Sequence, residues 1–297
     1  MTRLLDAHVH FWDPAARHHD WLSSIPALQR SFGHDDLDPG RHELTGVVFV
    51  QADCRDDEAL DEARWVATIA TAYPAVRGIV AYAPLHLGAG ADRHLGAVTQ
   101  LPLVVGVRWL LQGHPVAMLR DPALIAGLRL LPEFGLSFDI CATHDQLPAV
   151  ASLVRLCPET MFVLDHLGKP AIARGEFDPW RSDLAALAVL PNVVCKLSGL
   201  TTEARPDWTP AEVLPYLSHA LDVFGPGRCM YASDWPVATL RTSYEAWADV
   251  VLDSILELPP EDVESVLGGT ASCTYGLADS RTATEGSDDA RCTVRRR

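Results

Sequence analysis

Apolar residues recur along this chain with two different periods. Eight short runs rich in Val, Leu, Ile and Ala occupy residues 4–10, 46–53, 76–84, 104–110, 136–143, 161–166, 193–198 and 229–234. Continuous apolar runs of this length predict strands buried on both faces. Between most of them the apolar positions fall three and four apart, predicting helices over 58–72, 145–156, 183–190, 211–224 and 243–256. Asp121-Pro122-Ala123 and Pro259-Pro260-Glu261 open two more, since an early proline and an acidic first turn suit a helix start. Strands alternating with helices predict a parallel sheet. Eight such units predict a closed (β/α)8 barrel, the TIM barrel. An open doubly wound sheet, the alternative, would carry a Gly-rich turn after its first strand. This chain has Phe11-Trp12-Asp13-Pro14 there.

Two segments stand outside the repeat. Residues 11–45 form a connection longer than most in compact domains, which predicts a lid or binding loop. It carries Trp12, Trp21 and four histidines expected to face solvent, His18, His19, His34 and His42. Residues 280–297 are polar, aperiodic and end in three arginines, predicting a disordered tail behind a single domain of residues 1–279. The 297 residues are 48% hydrophobic, ample for a barrel that commonly takes about 250 residues. With 24 Lys and Arg against 39 Asp and Glu, the net charge is −15, which argues against nucleic acid or an anionic membrane as partner. No apolar run approaches the ~18 residues that span a bilayer. The seven cysteines are dispersed and several lie inside apolar runs, so reduced core thiols in a cytoplasmic protein are expected.

In a barrel of this kind the C-terminal strand ends converge on one face. The first run ends here in His8 and His10, the second in Gln51 and Asp53, and the fourth in Arg108. The sixth ends in Asp165, His166 and Lys169, the seventh in Lys196 and Ser198, and the eighth in Asp234. Charged side chains are rarely buried without partners, so apolar runs that end this way point to a site. Alternation along a strand aims both imidazoles of a His-x-His pair at one place. Barrel closure sets the eighth strand beside the first, so Asp234 is expected next to His8 and His10. Two imidazoles and a carboxylate can hold one divalent ion, or serve without it as a general base site. Asp165 is adjacent to His166, hence on the opposite face, and is expected to be a structural partner for backbone or a lysine.

Taken in order, six strings resemble the amidohydrolase superfamily: D-A-H-V-H-F-W-D-P at 6–14, V-F-V-Q-A-D at 48–53, G-V-R-W at 106–109, L-D-H-L-G-K-P at 164–170, K-L-S-G at 196–199 and S-D-W-P at 233–236. More narrowly they resemble its amidohydrolase-2 branch, which includes sugar lactonases and 2-pyrone-4,6-dicarboxylate lactonase. The resemblance runs from about residue 4 to Leu277 and implies a distorted TIM barrel with hydrolysis at its C-terminal face. Many amidohydrolases add a metal-binding His after the fifth strand; here only His144 is available, in the following loop. The thin ligand set leaves two alternatives, one weakly held divalent ion (zinc or manganese) or none.

With that resemblance, the expected activity is hydrolysis of a small-molecule lactone. Asp234 is expected to deprotonate water and return the proton to the ring oxygen. His8 and His10, with any ion they share with Asp234, would polarise the carbonyl, and His166 would donate to the developing oxyanion. Arg108, Gln51, Lys196 and Ser198 are expected to hold the substrate, with Trp12, Trp21 and Trp235 as flat faces for a sugar ring. A neutral aldonolactone is favoured, because a dicarboxylate would call for several arginines and only Arg108 is well placed. A metal-dependent decarboxylase and a non-enzymatic binding protein are the alternatives.

Overall fold

Eight parallel strands hydrogen-bond in chain order into one sheet. They are β1 (Arg3–Val9), β2 (Glu43–Val50), β3 (Val76–Tyr82), β4 (Val104–Arg108), β5 (Ser137–Ile140), β6 (Phe162–Leu164), β7 (Val193–Leu197) and β8 (Cys229–Tyr231). The helices are α1 (Ala59–Ala72), α2 (Asp92–Val98), α3 (Pro122–Leu130), α4 (Leu147–Leu156) and α5 (Trp180–Ala188), one after each of β2 to β6. After β7 come α6 (Leu200–Glu203) and α7 (Pro210–Phe224), and after β8 come α8 (Tyr244–Ile255), α9 (Pro260–Glu264) and α10 (Thr270–Tyr275). This is a near-closed TIM barrel, as the alternating pattern predicts. The structure is a computed structural model and describes residues 1–277. The expected tail at 280–297 and the last two residues of the expected domain lie outside the described residues.

The helices form where their sequences direct. Thr209 and Glu212 close a capping box on α7, and Val213, Tyr216, Leu217, Ala220, Leu221 and Phe224 bury one helical stripe against the barrel. The Asp121 carboxylate accepts from the Ala123 N–H and caps α3 with Pro122 in its first turn. Inside the barrel, Leu5, Val48, Val80, Val163, Val194 and Met230 pack with Ala271, Tyr275 and Leu277 from the last helical segment. Cys54, Cys141, Cys157, Cys195 and Cys229 are buried free thiols, as expected of core residues. Cys273 takes part in a disulfide, a pairing that dispersed spacing along the chain could not reveal. Among the described residues no helix is long and apolar enough to cross a membrane.

The connection between β1 and β2 is an ordered loop with three short 3-10 turns rather than a helix. It has its own aromatic core. Trp12 lies edge-on to Trp21 and Phe32, and Phe32 and Phe11 pack against Trp235. The Trp12 indole donates to the Leu28 and Arg30 carbonyls, and that of Trp21 to the Ala52 carbonyl. His18 is exposed and paired with Glu58, and His34 is half-buried against Tyr73. His19 and His42 depart from the expectation of solvent exposure: His19 is buried near Glu62, and His42 is buried against Asp249 of α8. Both carry a polar ring into the seam between loop and barrel, where a carboxylate meets it.

Closure between β8 and β1 is made at their C-terminal ends. His10 N–H donates to the Trp235 carbonyl at 2.8 Å and Asp234 N–H to the His8 carbonyl at 3.0 Å. One position lower, Asp6 accepts from the His8 N–H at 3.1 Å and the Ser233 N–H at 2.9 Å. A register shift in β1 between Asp6 and Val9 breaks the simple alternation. Asp6 therefore faces Tyr244 of α8 while His8 turns into the barrel mouth. Burial pushes the Asp6 carboxyl up to about 6, against the pull of its hydrogen bonds from Ser233 and His8. Its folded value lies above its unfolded one, so the native state loses stability relative to a neutral side chain as pH rises from about 4 to 6. Asp6→Asn keeps an accepting oxygen and removes the charge. Chemical denaturation of both proteins from pH 4 to 7 should show the variant gaining on the wild type with rising pH, by up to about 3 kcal/mol. A pH-independent difference would show that Asp6 is ionised without cost.

Candidate active site

Below the mouth of the barrel lies a layer of buried charge. Lys196 of β7, fully buried, places its Nζ 2.5 Å from Asp139 Oδ2, 3.1 Å from Asp165 Oδ1 and 3.1 Å from His8 Nδ1. Arg108 of β4 donates to Asp165 Oδ2 at 3.1 Å and to the Gln51 carbonyl at 2.5 Å. Tyr275 of α10 donates to Asp139 from beneath. Two cations and two carboxylates thus balance one another in a volume closed to water. Charges there persist only when paired, because desolvation of each ion costs several kcal/mol. Burial works to raise Asp165, but Lys196, His8 and Arg108 outweigh it and hold the carboxyl well below the usual range. Asp139 has fewer cationic neighbours, and burial together with repulsion from Asp165 pushes it up to about 6.

Above that layer three imidazoles converge on one carboxylate. Asp234 Oδ1 lies 3.5 Å from His10 Nε2, 3.7 Å from His8 Nε2 and 3.8 Å from His166 Nε2. His8 and His10 approach within 3.1 Å through their Nε2 atoms, and His10 Nδ1 lies 2.7 Å from the Val50 carbonyl. His166 Nδ1 is 2.9 Å from Ser198 Oγ. Burial opposes ionisation of Asp234, yet the facing His166, His10 and His8 rings more than compensate and hold its carboxyl well below the usual carboxylate range. His166 is lowered to about 4, chiefly by burial, and so is neutral at physiological pH.

The backbone is bent to achieve this. Asp234 (φ 61°) and His166 (φ 54°) are both left-handed, and the turn stays left-handed through Leu167, Gly168 and Lys169. Non-glycine residues held this way cost about 1–3 kcal/mol each and cluster at functional sites. The turn also ends strand alternation at β6. Asp165 and His166, expected on opposite faces, both reach the cluster for that reason. Asp165 does meet a lysine, as expected, and Arg108 and His8 as well.

Several expected residues occupy altered places. His8, His166 and Asp234 offer ligand atoms that all lie within 4.8 Å of one another, and the expected trio of His8, His10 and Asp234 lies as close, with separations of 3.1–3.7 Å. Lys196 does not face the mouth, as its ammonium donates to Asp139 and His8 and forms an ion pair with Asp165. Trp12 and Trp235 are buried in the loop's aromatic core and present no open face to a ring. Gln51 Nε2 and Arg108 Nε are buried and have no hydrogen-bond partner among the described residues. Ser198 touches His166. His144 sits outside the cluster, against Arg174. Sequence reasoning passed over Asp139 and Tyr275; a carboxylate inside the apolar run Ser137-Phe138-Asp139-Ile140 was the available signal.

Imidazole nitrogens and a carboxylate oxygen at these separations suit zinc or a similar divalent ion, whose ligand bonds are about 2.0–2.2 Å. The outer partners of the rings are in place too, which orients them for such a role. The family described as Amidohydrolase matches residues 5–277. The chain belongs to the amidohydrolase family. It is 32% identical over 287 residues to an L-fucono-1,5-lactonase from Burkholderia ambifaria, covering 93% of this chain and 97% of that protein. An L-rhamnono-gamma-lactonase from Scheffersomyces stipitis is 22% identical over 322 residues, covering 85% and 93%. A crystal structure of an amidohydrolase from Burkholderia multivorans with bound zinc superposes with a TM-score of 0.81 at 31% identity, covering 93% of this chain and 100% of that one.

Gly199 is the point at which this amidohydrolase site tolerates least. It is left-handed (φ 70°), and a Cβ there would lie 2.6 Å from the His166 Cβ and Cγ. Gly199→Ala should therefore cost about 1–3 kcal/mol in denaturant unfolding and displace the His166 ring. A variant with wild-type stability and an unmoved His166 NMR signal would contradict the contact.

Proposed function

We propose that this amidohydrolase opens the ring of a sugar lactone, most simply a neutral aldonolactone. The observation that carries the reading is the carboxylate of Asp234 ringed by three imidazole Nε2 atoms at 3.5–3.8 Å. Likeness to an L-fucono-1,5-lactonase over 93% of this chain supports it. Asp234, kept ionised by its neighbours, takes a proton from water as the water oxygen attacks the lactone carbonyl. The carbonyl carbon becomes tetrahedral, and neutral His166 donates a hydrogen bond to its oxygen if Nε2 holds the ring proton. The bond to the ring oxygen then breaks, and Asp234 passes its proton to the leaving alkoxide. The product is an open-chain hydroxy acid. A divalent ion held by His8, His166 and Asp234 would add Lewis-acid polarisation of the oxygen atoms it faces. Gln51 Nε2, buried with no hydrogen-bond partner among the described residues, is free to donate to a substrate oxygen. Lys196 and Ser198 act one step back, through His8 and His166.

Two outcomes test this. Purified protein given a panel of aldonolactones in weakly buffered pH indicator should release acid, and a parallel series with chelator reads the metal requirement. No acid release from any lactone, with or without added zinc or manganese, would end the lactonase reading. Asp234→Asn should fold normally and lose about a thousandfold or more in kcat. Retention of near-normal turnover would remove Asp234 from its role.

A further inference from the structure

We propose that Lys196 and Asp165 compete for Nδ1 of His8 and so decide whether His8 shows the mouth a proton or a lone pair. The chain of reasoning starts at His10. Its Nδ1 lies 2.7 Å from the Val50 carbonyl, which only accepts, so the His10 proton sits on Nδ1 and its Nε2 is a bare lone pair. That lone pair is 3.1 Å from His8 Nε2. Contact at this distance holds one hydrogen, which therefore belongs to His8 Nε2. A neutral His8 then has an unprotonated Nδ1, and the Lys196 ammonium, a donor only, lies 3.1 Å from it. Lys196, His8, His10 and Val50 form one continuous hydrogen-bonded chain. Arg108 Nη1 offers His8 Nε2 a rival donor at 3.4 Å, but it lies closer, at 3.1 Å, to the carboxylate of Asp165.

In that tautomer His8 Nε2 cannot ligate an ion. The other tautomer is already furnished with a partner. Asp165 Oδ1 is fully buried, lies 3.2 Å from His8 Nδ1 and, though ion-paired with Lys196 at 3.1 Å, accepts no hydrogen bond among the described residues. Moving the ring proton from Nε2 to Nδ1 lets it bond to Asp165 and frees the Nε2 lone pair, with no net gain or loss of protons. Lys196 keeps Asp139 and Asp165 as partners throughout. A carboxylate behind the ring and an ion before it is the usual support for an imidazole ligand. Lys196 thus works as a positioning residue that favours the closed chain and sets a cost on ion capture. This concerns the site's internal wiring and stands whether or not the substrate is a lactone.

The test uses the full-length protein and 15N NMR of the histidine rings, with the His8 signals identified by their loss in His8→Gln. After chelation, wild-type His8 should be protonated at Nε2; on titration with zinc the proton should appear at Nδ1. Lys196→Met should show the Nδ1-protonated ring without zinc and bind zinc about tenfold more tightly in chelator competition. A chelated wild type protonated at Nδ1, or a folded Lys196→Met protein with its ring proton still on Nε2, overturns the proposal. If Lys196→Met does not fold, the chelated and zinc-loaded wild-type spectra decide by themselves.

Discussion

Two backbone hydrogen bonds across the β1–β8 seam carry much of this molecule's logic. They join His8 to Asp234 and His10 to Trp235, so the bonds that shut the barrel also set the distance between imidazoles and carboxylate. β8 is only three residues long, and β1 meets the chain just beyond it through a single bridge from Val9 to Trp235. Asp6 reinforces the seam from the outer side by accepting from backbone on both elements. The cis Trp235-Pro236 bond and the left-handed Asp234 lie in the same few residues, where the chain leaves β8 and passes over the mouth. Geometry at the site and integrity of the fold are therefore coupled, and damage to one should register in the other.

Beneath the seam the barrel interior changes from hydrocarbon to paired ions within one layer. Val48, Val80, Val163 and Val194 fill the lower part, and Lys196, Asp139, Asp165 and Arg108 fill the next. A core of aliphatic side chains would be as stable or more so. What the ions provide is direction: Lys196 donates to Asp139 and His8, and Arg108 to Asp165, so the His8 ring has a partner at both of its nitrogens. Tyr275 extends this grip to the last helix, which seals the barrel and also bonds the Asp139 carboxylate. The terminal helix thereby belongs to the site's support although it touches none of the groups at the mouth.

The barrel was legible because strand and helix periods differ and because parallel strands, buried on both faces, leave unbroken apolar runs. His8, His10, His166 and Asp234 were legible as polar residues closing such runs. Their roles were less so. Lys196 and Arg108 end strands in the same way as His8, and nothing in linear order tells a cation that faces solvent from one spent on Asp139 or Asp165. Trp12 and Trp235 suggested stacking surfaces, but the loop needed a core of its own and took them. The alternation rule failed at Asp165 and His166, where a left-handed turn replaces the pleat, and at Asp6, where a shift of register does the same.

Sequence by itself determined that eight strands alternate with helices and that polar residues close the strands that end on one face. Local chemistry suffices for these, since periodicity, caps and apolar runs act over a few residues. Tertiary structure decided which of those polar groups meet. The trio of His8, His166 and Asp234, the balance of Lys196 and Arg108 against two carboxylates, and the tautomer of His8 depend on groups from different strands. Each is set by contacts of about 3 Å between residues far apart in sequence, where one bulge or one left-handed turn redirects a whole side chain.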